Sequence, residues 1–155
     1  MTGSRRARVI ALGQGAAGDD GVGLAVYEAL RAQGVPDGVE LVRAAEDSAL
    51  LSLLETDVPV VLVDAALGSP AGEVIELAPE ELAPRGLRPV STHGLGLAQA
   101  LELARTVAPE QVPERVRIIA ITIERPTTYE WALSAAVAAA VPVAAARVLA
   151  LVTQS

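Results

Sequence analysis

The sequence predicts one α/β domain in which helices cover both faces of a mostly parallel sheet. Short apolar runs alternate with segments of helical spacing along the 155 residues, and this order is typical of α/β sandwiches. The run VPVVLV at 58–63 is apolar throughout, as expected of a strand that is covered on both faces. We therefore predict a three-layer α/β/α sandwich with a mixed, mostly parallel sheet that occupies residues 1–155 as a single domain.

Five strands are predicted from local patterns. The segment 73–77 (EVIEL) alternates polar and apolar residues, which indicates an edge strand with one wet face. We expect this edge strand to be antiparallel to its neighbour. Three of the other four are largely apolar runs that fit buried strands, and 39–43 (VELVR) is predicted as the second strand. The five predicted strands are 8–12, 39–43, 58–63, 73–77 and 116–123.

Four helices are predicted between and after these strands. The first spans 21–33, where Val22, Val26 and Leu30 form an apolar stripe. Acidic residues at its start are suited to capping free N–H groups, and Gly34 ends it. The last helix is interrupted by Pro142, which predicts a kink or two shorter helices. This last helix runs from near Tyr129 to the C-terminus. Of the remaining two, one is a short helix that is capped by Asp47 or Ser48 and ends at Leu54. The other spans 94–107.

Composition excludes several classes of function. The chain has no Cys, so disulfides, thiolate metal ligands and a Cys nucleophile are absent, which suits a cytoplasmic protein. The formal net charge is −7 with no basic run, so no nucleic-acid partner is expected. The apolar region 132–152 contains Ser134, Pro142 and Arg147 and is mostly Ala. It therefore fits a buried C-terminal helix better than a membrane span, and no membrane partner is expected.

Three polar residues lie at or just after the predicted carboxyl ends of strands, where open α/β sheets bind ligands. Asp20 follows the first strand and a glycine-rich loop, Asp64 directly follows VPVVLV, and His93, the only histidine, precedes a helix. Each has a structural explanation as a helix cap, a strand terminus or a surface residue. Together they form an O,O,N set that suits a first-row divalent metal with open positions.

The glycine-rich loop itself is a poor candidate for phosphate binding. Gly13, Gly15 and Gly18 fit the dinucleotide pattern G-x-G-x-x-G. That pattern requires phosphate at the N-terminus of the following helix. Asp19 and Asp20 place two negative charges there instead, which disfavours phosphate on electrostatic grounds.

Four ordered motifs resemble those of hydrogenase maturation endopeptidases. The segment 18–23 (GDDGVG) resembles the family's first acidic motif, and 61–65 (VLVDA) resembles its second. The segment 91–97 (STHGLGL) is similar to its histidine motif, and 133–142 (LSAAVAAAVP) to its C-terminal helix. The resemblance runs in order over about residues 8–152.

The resemblance implies a function. Members of this family remove a C-terminal extension from the large-subunit precursor of nickel-iron hydrogenase after nickel has been loaded. By this resemblance Asp20, Asp64 and His93 contact the nickel, which the substrate carries, and they form the catalytic site. The partner is then the precursor, and the isolated protein is expected to bind metal weakly. The oligomeric state is left open, a monomer being compatible with the sequence.

The chain departs from the family pattern at three places. Gln14 stands where the family usually has Asn, and 15–17 (GAA) where it often has Pro-Leu-Arg. A Gly-Thr pair common after the second strand is replaced around Ala45 and Glu46, and 123–129 (IERPTTY) is short and carries Arg125. These changes leave the three predicted metal-contacting residues in place and bear on which precursor is recognised.

Two other functions and two mechanisms stay open at the level of sequence. The chain could be a non-catalytic binding module that senses metal with the same fold, or a metal-dependent hydrolase of small substrates. For a protease, the nickel of the substrate could polarise the scissile carbonyl or activate water. Alternatively, Asp20 or Asp64 could act as a general base of an aspartic-type enzyme.

Overall fold

A computed structural model of the chain describes residues 6–13, 21–44, 50, 52–89, 97–110, 115–124 and 133–153. Within these residues six strands form one sheet. In space, five of them follow the order β2-β1-β3-β6-β4, and β5 pairs with the end of β3. The strands are β1 (Ala7–Leu12), β2 (Val39–Ala44), β3 (Val60–Leu67), β4 (Val74–Leu77), β5 (Arg88–Pro89) and β6 (Val116–Ile123).

The sheet is mixed and mostly parallel, as predicted. The pairs β1–β2, β1–β3 and β3–β6 are parallel, while β4 runs antiparallel to β6 and β5 antiparallel to β3. The predicted antiparallel edge strand is confirmed, because β4 lies at one end of the strand order. The prediction did not include β5. This strand has only two residues, one of them proline, so it has no periodicity that a sequence reading could detect.

Helices cover both faces of the sheet and complete the three predicted layers. The helices are α1 (Val22–Gln33), α2 (Leu97–Val107) and α3 (Ala135–Thr153). One apolar cluster joins α1 and α3 to one face through Val26, Val148 and Val63. A second cluster joins α2 to the opposite face through Leu101 and Leu62. The alternation of β3 residues between the clusters follows from the two-residue period of a strand.

The predicted helices are confirmed where the structure describes them, except that the last begins later than predicted. Leu133 and Ser134 are not helical, and α3 begins at Ala135. Helix α1 begins at Val22 with Gly21 at the N-cap position, and the N–H of Gly34 closes it on the carbonyl of Leu30. The capping position is thus a glycine and not an acid, while Asp19 and Asp20 lie outside the described residues. In the short helix predicted to end at Leu54, the N–H of Leu54 donates to the carbonyl of Leu50 at 3.0 Å. The predicted caps of this helix, Asp47 and Ser48, lie outside the described residues.

The C-terminal helix α3 is a single helix that contains Pro142, so the alternative of two shorter helices is wrong. By length and composition alone it could cross a membrane, with a mean hydropathy of 2.2. Its buried residues, among them Val137, Ala144 and Val148, form one face. That face belongs to the core cluster with α1 and the sheet, as the prediction of a C-terminal core helix requires.

Arg8 ties the edge strand β2 to the middle of the sheet. Its side chain is only 9% exposed, and its Nε donates to Glu40 Oε1 at 2.7 Å. Arg8 and Glu40 are register partners on β1 and β2. The Arg8 Nη1 also donates to the carbonyl of Leu53 at 2.8 Å. The buried guanidinium of Arg8 therefore has hydrogen-bond partners, while Glu40 is 35% exposed, so the ion pair is only partly buried.

The start of α1 approaches the end of β1 and the middle of β3 so closely that only glycine fits at position 23. A Cβ added to Gly23 would overlap the carbonyl oxygen of Leu12 and would lie 3.2 Å from that of Val63. Gly23 is otherwise an ordinary helical residue, where glycine costs about 0.5–1 kcal/mol relative to Ala. The close approach fixes the N-terminus of α1 over the carboxyl end of β1 and beside Val63 of β3.

We predict that Gly23→Ala lowers the free energy of unfolding by about 1–3 kcal/mol, because the added methyl group forces α1 away from the sheet. The higher helix propensity of Ala would by itself raise the free energy of unfolding. The sign of the measured change therefore shows whether the steric overlap outweighs helix propensity. Urea unfolding measures it. Ala32→Gly, at an exposed position of the same helix, is the control and should cost only the propensity difference, about 0.5–1 kcal/mol. A stabilising Gly23→Ala substitution would contradict the close approach.

Candidate active site

Asp64 lies inside β3, between the part of the strand that pairs with β1 and the part that pairs with β5. The prediction that Asp64 follows the strand is wrong, because β3 continues to Leu67. The strand β1 pairs with β3 only as far as Val63, and β5 begins to pair at Ala66. On the other side β6 pairs along the whole strand, with Ala120 opposite Asp64. Asp64 therefore opens a gap of two residues between β1 and β5, and this gap is the centre of the candidate site.

The carboxylate of Asp64 is buried and oriented. The residue is 2% exposed, and it is the only buried acid among the residues that the structure describes. Its Oδ1 accepts a hydrogen bond of 2.8 Å from the N–H of Ala65. Burying a carboxylate is costly unless partners compensate, and departures from an apolar core are most often found at functional sites. Position 64 thus carries a chemical group that the fold does not need for packing.

The side chain of Asp64 lies on the face of the sheet that α2 covers. Its neighbours Val63 and Ala65 belong to the cluster with α1 and α3. Leu62 and Ala66, which alternate with them, belong to the opposite cluster, together with Leu101 of α2. Because successive strand residues point to opposite faces, the carboxylate shares the α2 face.

The segment that contains His93 leads directly into α2. Helix α2 begins at Leu97, and Arg105 in its last turn lines a cleft together with Val60 and Val116, the first residues of β3 and β6. The C-terminal end of α2 is therefore at the amino edge of the sheet. A helix of this length spans about 16 Å, so α2 begins towards the carboxyl edge, on the face of Asp64. His93 itself lies outside the described residues.

The segment that contains Asp20 leads into α1 at the same edge. Gly23, three residues later, lies against the carbonyl groups of Leu12 and Val63, and the second of these belongs to the residue before Asp64. Asp20 also lies outside the described residues. Within the described part of the chain no group of three or more His, Cys, Asp or Glu residues could hold a metal. The convergence of Asp20, Asp64 and His93 accordingly stays a prediction.

The role of Gly23 was not recognised from the sequence, where it appears only as the last residue of GDDGVG. A glycine in the first turn of a helix with strong apolar spacing was the available signal. Such a glycine lowers helix stability, so its presence indicates a packing reason such as a close approach of another backbone. In the structure that close approach brings the first turn of α1 against Val63, the residue before Asp64.

A sequence model described as hydrogenase maturation protease matches residues 25–151 of the chain. The chain belongs to the hydrogenase maturation protease family. The matched region includes Asp64 and His93 and begins five residues after Asp20. A comparison with curated protein sequences found no match.

Solved structures of this family share the fold over nearly the whole chain. The hydrogenase maturating endopeptidase HybD from Escherichia coli is 25% identical, with a TM-score of 0.76 over 96% of this chain and 93% of that one. A nickel-iron hydrogenase maturation protease HybD from Thermococcus kodakarensis is 22% identical, with a TM-score of 0.75 over 95% of this chain and 99% of that one. The α/β fold of this maturation protease is therefore that of its family.

We predict that Asp64→Ala lowers the free energy of unfolding by about 1–3 kcal/mol, because it leaves the buried N–H of Ala65 without its acceptor. Asp64→Asn keeps an acceptor oxygen of the same shape and should cost less than half as much. Urea unfolding of the two variants in parallel measures the difference. Equal losses in the two variants would show that the hydrogen bond to Ala65 does not orient the side chain.

Proposed function

We propose that this maturation protease removes the C-terminal extension of the nickel-loaded large-subunit precursor of nickel-iron hydrogenase, in the cytoplasm. The observation that carries the proposal is the buried carboxylate of Asp64, which lies at the gap between β1 and β5 in a chain that belongs to the family. The nickel ion belongs to the substrate. We expect it to enter the site already held by the precursor, so that the isolated protease binds metal weakly.

In this proposal Asp20, Asp64 and His93 recognise the nickel of the precursor. Two carboxylates and one imidazole offer oxygen and nitrogen ligands, which are compatible with nickel as a divalent first-row metal. The hydrogen bond from Ala65 holds the Asp64 carboxylate in one orientation, so little side-chain entropy is lost when the substrate binds. A nickel ion at this position is adjacent to the peptide segment that it marks for cleavage, where it can act as a Lewis acid.

The chemistry of the proposed partner follows from charge. The chain has a formal net charge of −7, and two of its carboxylates belong to the proposed site at one edge of the sheet. A protein segment that carries a divalent cation complements these charges, whereas a nickel-free segment does not. Charge complementarity of this kind contributes mainly to specificity. Recognition is therefore conditional on the metal.

We predict that His93→Ala, Asp20→Asn and Asp64→Asn each reduce processing of the nickel-loaded precursor by about 100-fold or more, the loss expected when a group that acts on the reacting atoms is removed. Gel mobility of the precursor over time measures processing. Circular dichroism shows whether each variant remains folded.

Asp57→Asn is the matched control for the two Asp→Asn variants. Asp57 is an exposed acid that precedes the opposite end of β3, so its loss of charge should leave the rate unchanged. Normal trimming of the precursor by folded His93→Ala would eliminate the proposed role of the histidine. A variant that binds the loaded precursor without being able to cleave it would separate recognition from catalysis.

We also predict that the protease binds the nickel-loaded precursor at least about tenfold more tightly than the nickel-free precursor, which corresponds to about 1.4 kcal/mol. Titration calorimetry with both forms at fixed salt measures the two affinities. A substrate that is recognised through its bound nickel must show this difference in affinity, and Asp64→Asn should reduce the difference. Equal affinities would mean that the three residues do not read the nickel.

A further inference from the structure

A cleft lies at the amino edge of the sheet, opposite to the candidate active site. It has a volume of about 480 Å³, within the range of roughly 300–1,000 Å³ that is usual for small-molecule sites. Its floor contains the first residues of three strands, Ala7, Val60 and Val116. The last turn of α2 contributes Arg105 to one side and the last turn of α3 contributes Leu151 to the other. We call this feature the amino-edge cleft.

The wall of the amino-edge cleft is positively charged in a chain that is negative overall. Its lining includes three arginines, Arg105, Arg115 and Arg117, and one acid, Glu80. The formal net charge of the whole chain is −7. Like charges that converge on a concave surface repel one another and focus the local potential. An anion in the cleft would relieve this repulsion.

The three arginines are neutralised to different degrees. Arg117 contacts Glu76 at 3.2 Å, while Arg105 lies 3.8 Å from the carboxylate of Glu80, whose side chain is 68% exposed. An exposed pair at that distance contributes little. Arg115 has no ion pair with any residue in the described part of the chain. It therefore has guanidinium donors available for a ligand.

The backbone fixes Arg115 at the rim of the cleft. Its carbonyl accepts a hydrogen bond of 3.0 Å from the N–H of Val60 at the start of β3. Arg117, two residues later, is the register partner of Val61. The position of Arg105 in the last turn of α2 already has a structural benefit, because a cation there interacts favourably with the helix dipole. Arg115 is not at a helix terminus, so the helix dipole does not explain its placement, and Arg115 is the stronger indication of a ligand site.

We propose that the amino-edge cleft binds a small polyvalent oxyanion, whose carboxylate or phosphate groups pair with Arg115 and Arg105 beside the apolar side chain of Leu151. The guanidinium fork suits either group, because it forms two parallel hydrogen bonds with planar oxyanions. Glu80 competes for Arg105 in the empty cleft. The site is independent of the proposed proteolytic function and lies at the other end of the strands from Asp64.

The test is calorimetric titration of the full chain with citrate and, separately, with pyrophosphate, at an ionic strength held constant with sodium chloride. We expect saturable one-to-one binding of at least one probe. Arg115→Gln should weaken it about tenfold or more, the effect of losing a charged hydrogen bond. Glu80→Gln should tighten it, because the substitution removes a negative charge from the lining of the cleft. Arg88→Gln should change it less than twofold, within the usual effect of a surface substitution; Arg88 is exposed and lies at the opposite sheet edge on β5.

Each outcome has a definite meaning. Binding of citrate alone identifies a carboxylate ligand, binding of pyrophosphate alone identifies a phosphate ligand, and both results support the site. Absence of saturable heat with either probe would overturn the proposal. So would an equal loss of affinity in Arg115→Gln and Arg88→Gln, or weaker binding in Glu80→Gln, because neither agrees with an anion held in this cleft.

Discussion

The difference in length between β1 and β3 is the constraint on which the candidate active site depends. Both strands begin at the same edge, but β1 stops pairing at Val63 while β3 continues to Leu67 beside β6. Between the end of β1 and the start of β5, the backbone at Asp64 has a strand neighbour on one side only within the described part of the sheet. This is where an open α/β sheet can accept a ligand. The adjacent close contact of Gly23 with Leu12 and Val63 keeps α1 at the same place.

Strand bounds that a local pattern encodes were predicted well from the sequence, and bounds that depend on tertiary pairing were not. The bounds of β6, at Val116 and Ile123, are those predicted, because the run VRIIAITI is apolar and rich in β-branched residues. The end of β3 was misplaced, since an acid after VPVVLV reads as a terminus. Only the pairing of Ala66 and Leu67 with β5 and β6 extends the strand, and no local pattern encodes that pairing.

The same distinction applies to the candidate site. Asp64 was identified as a functional candidate from its motif, but its burial and its hydrogen bond to Ala65 follow from the extension of β3 and could not be anticipated. The amino-edge cleft was not predicted at all, because Arg105, Arg115 and Arg117 form no basic run in the sequence. They meet only because α2 ends where β6 begins. The buried acid thus lies beyond the last residue of β3 that pairs with β1, whereas the arginines lie at the amino edge of the sheet.

The most direct test of the central claim is whether His93 and Asp64 meet the same metal ion. Excess Ni²⁺ added to the isolated protein should perturb the imidazole resonances of His93, the only histidine, together with the amide of Ala65, which is hydrogen-bonded to Asp64. Nuclear magnetic resonance can follow both signals in one titration. The two signals should change with the same apparent affinity, and Asp64→Asn should weaken both changes. A change at His93 that leaves Ala65 unaffected would contradict a shared site.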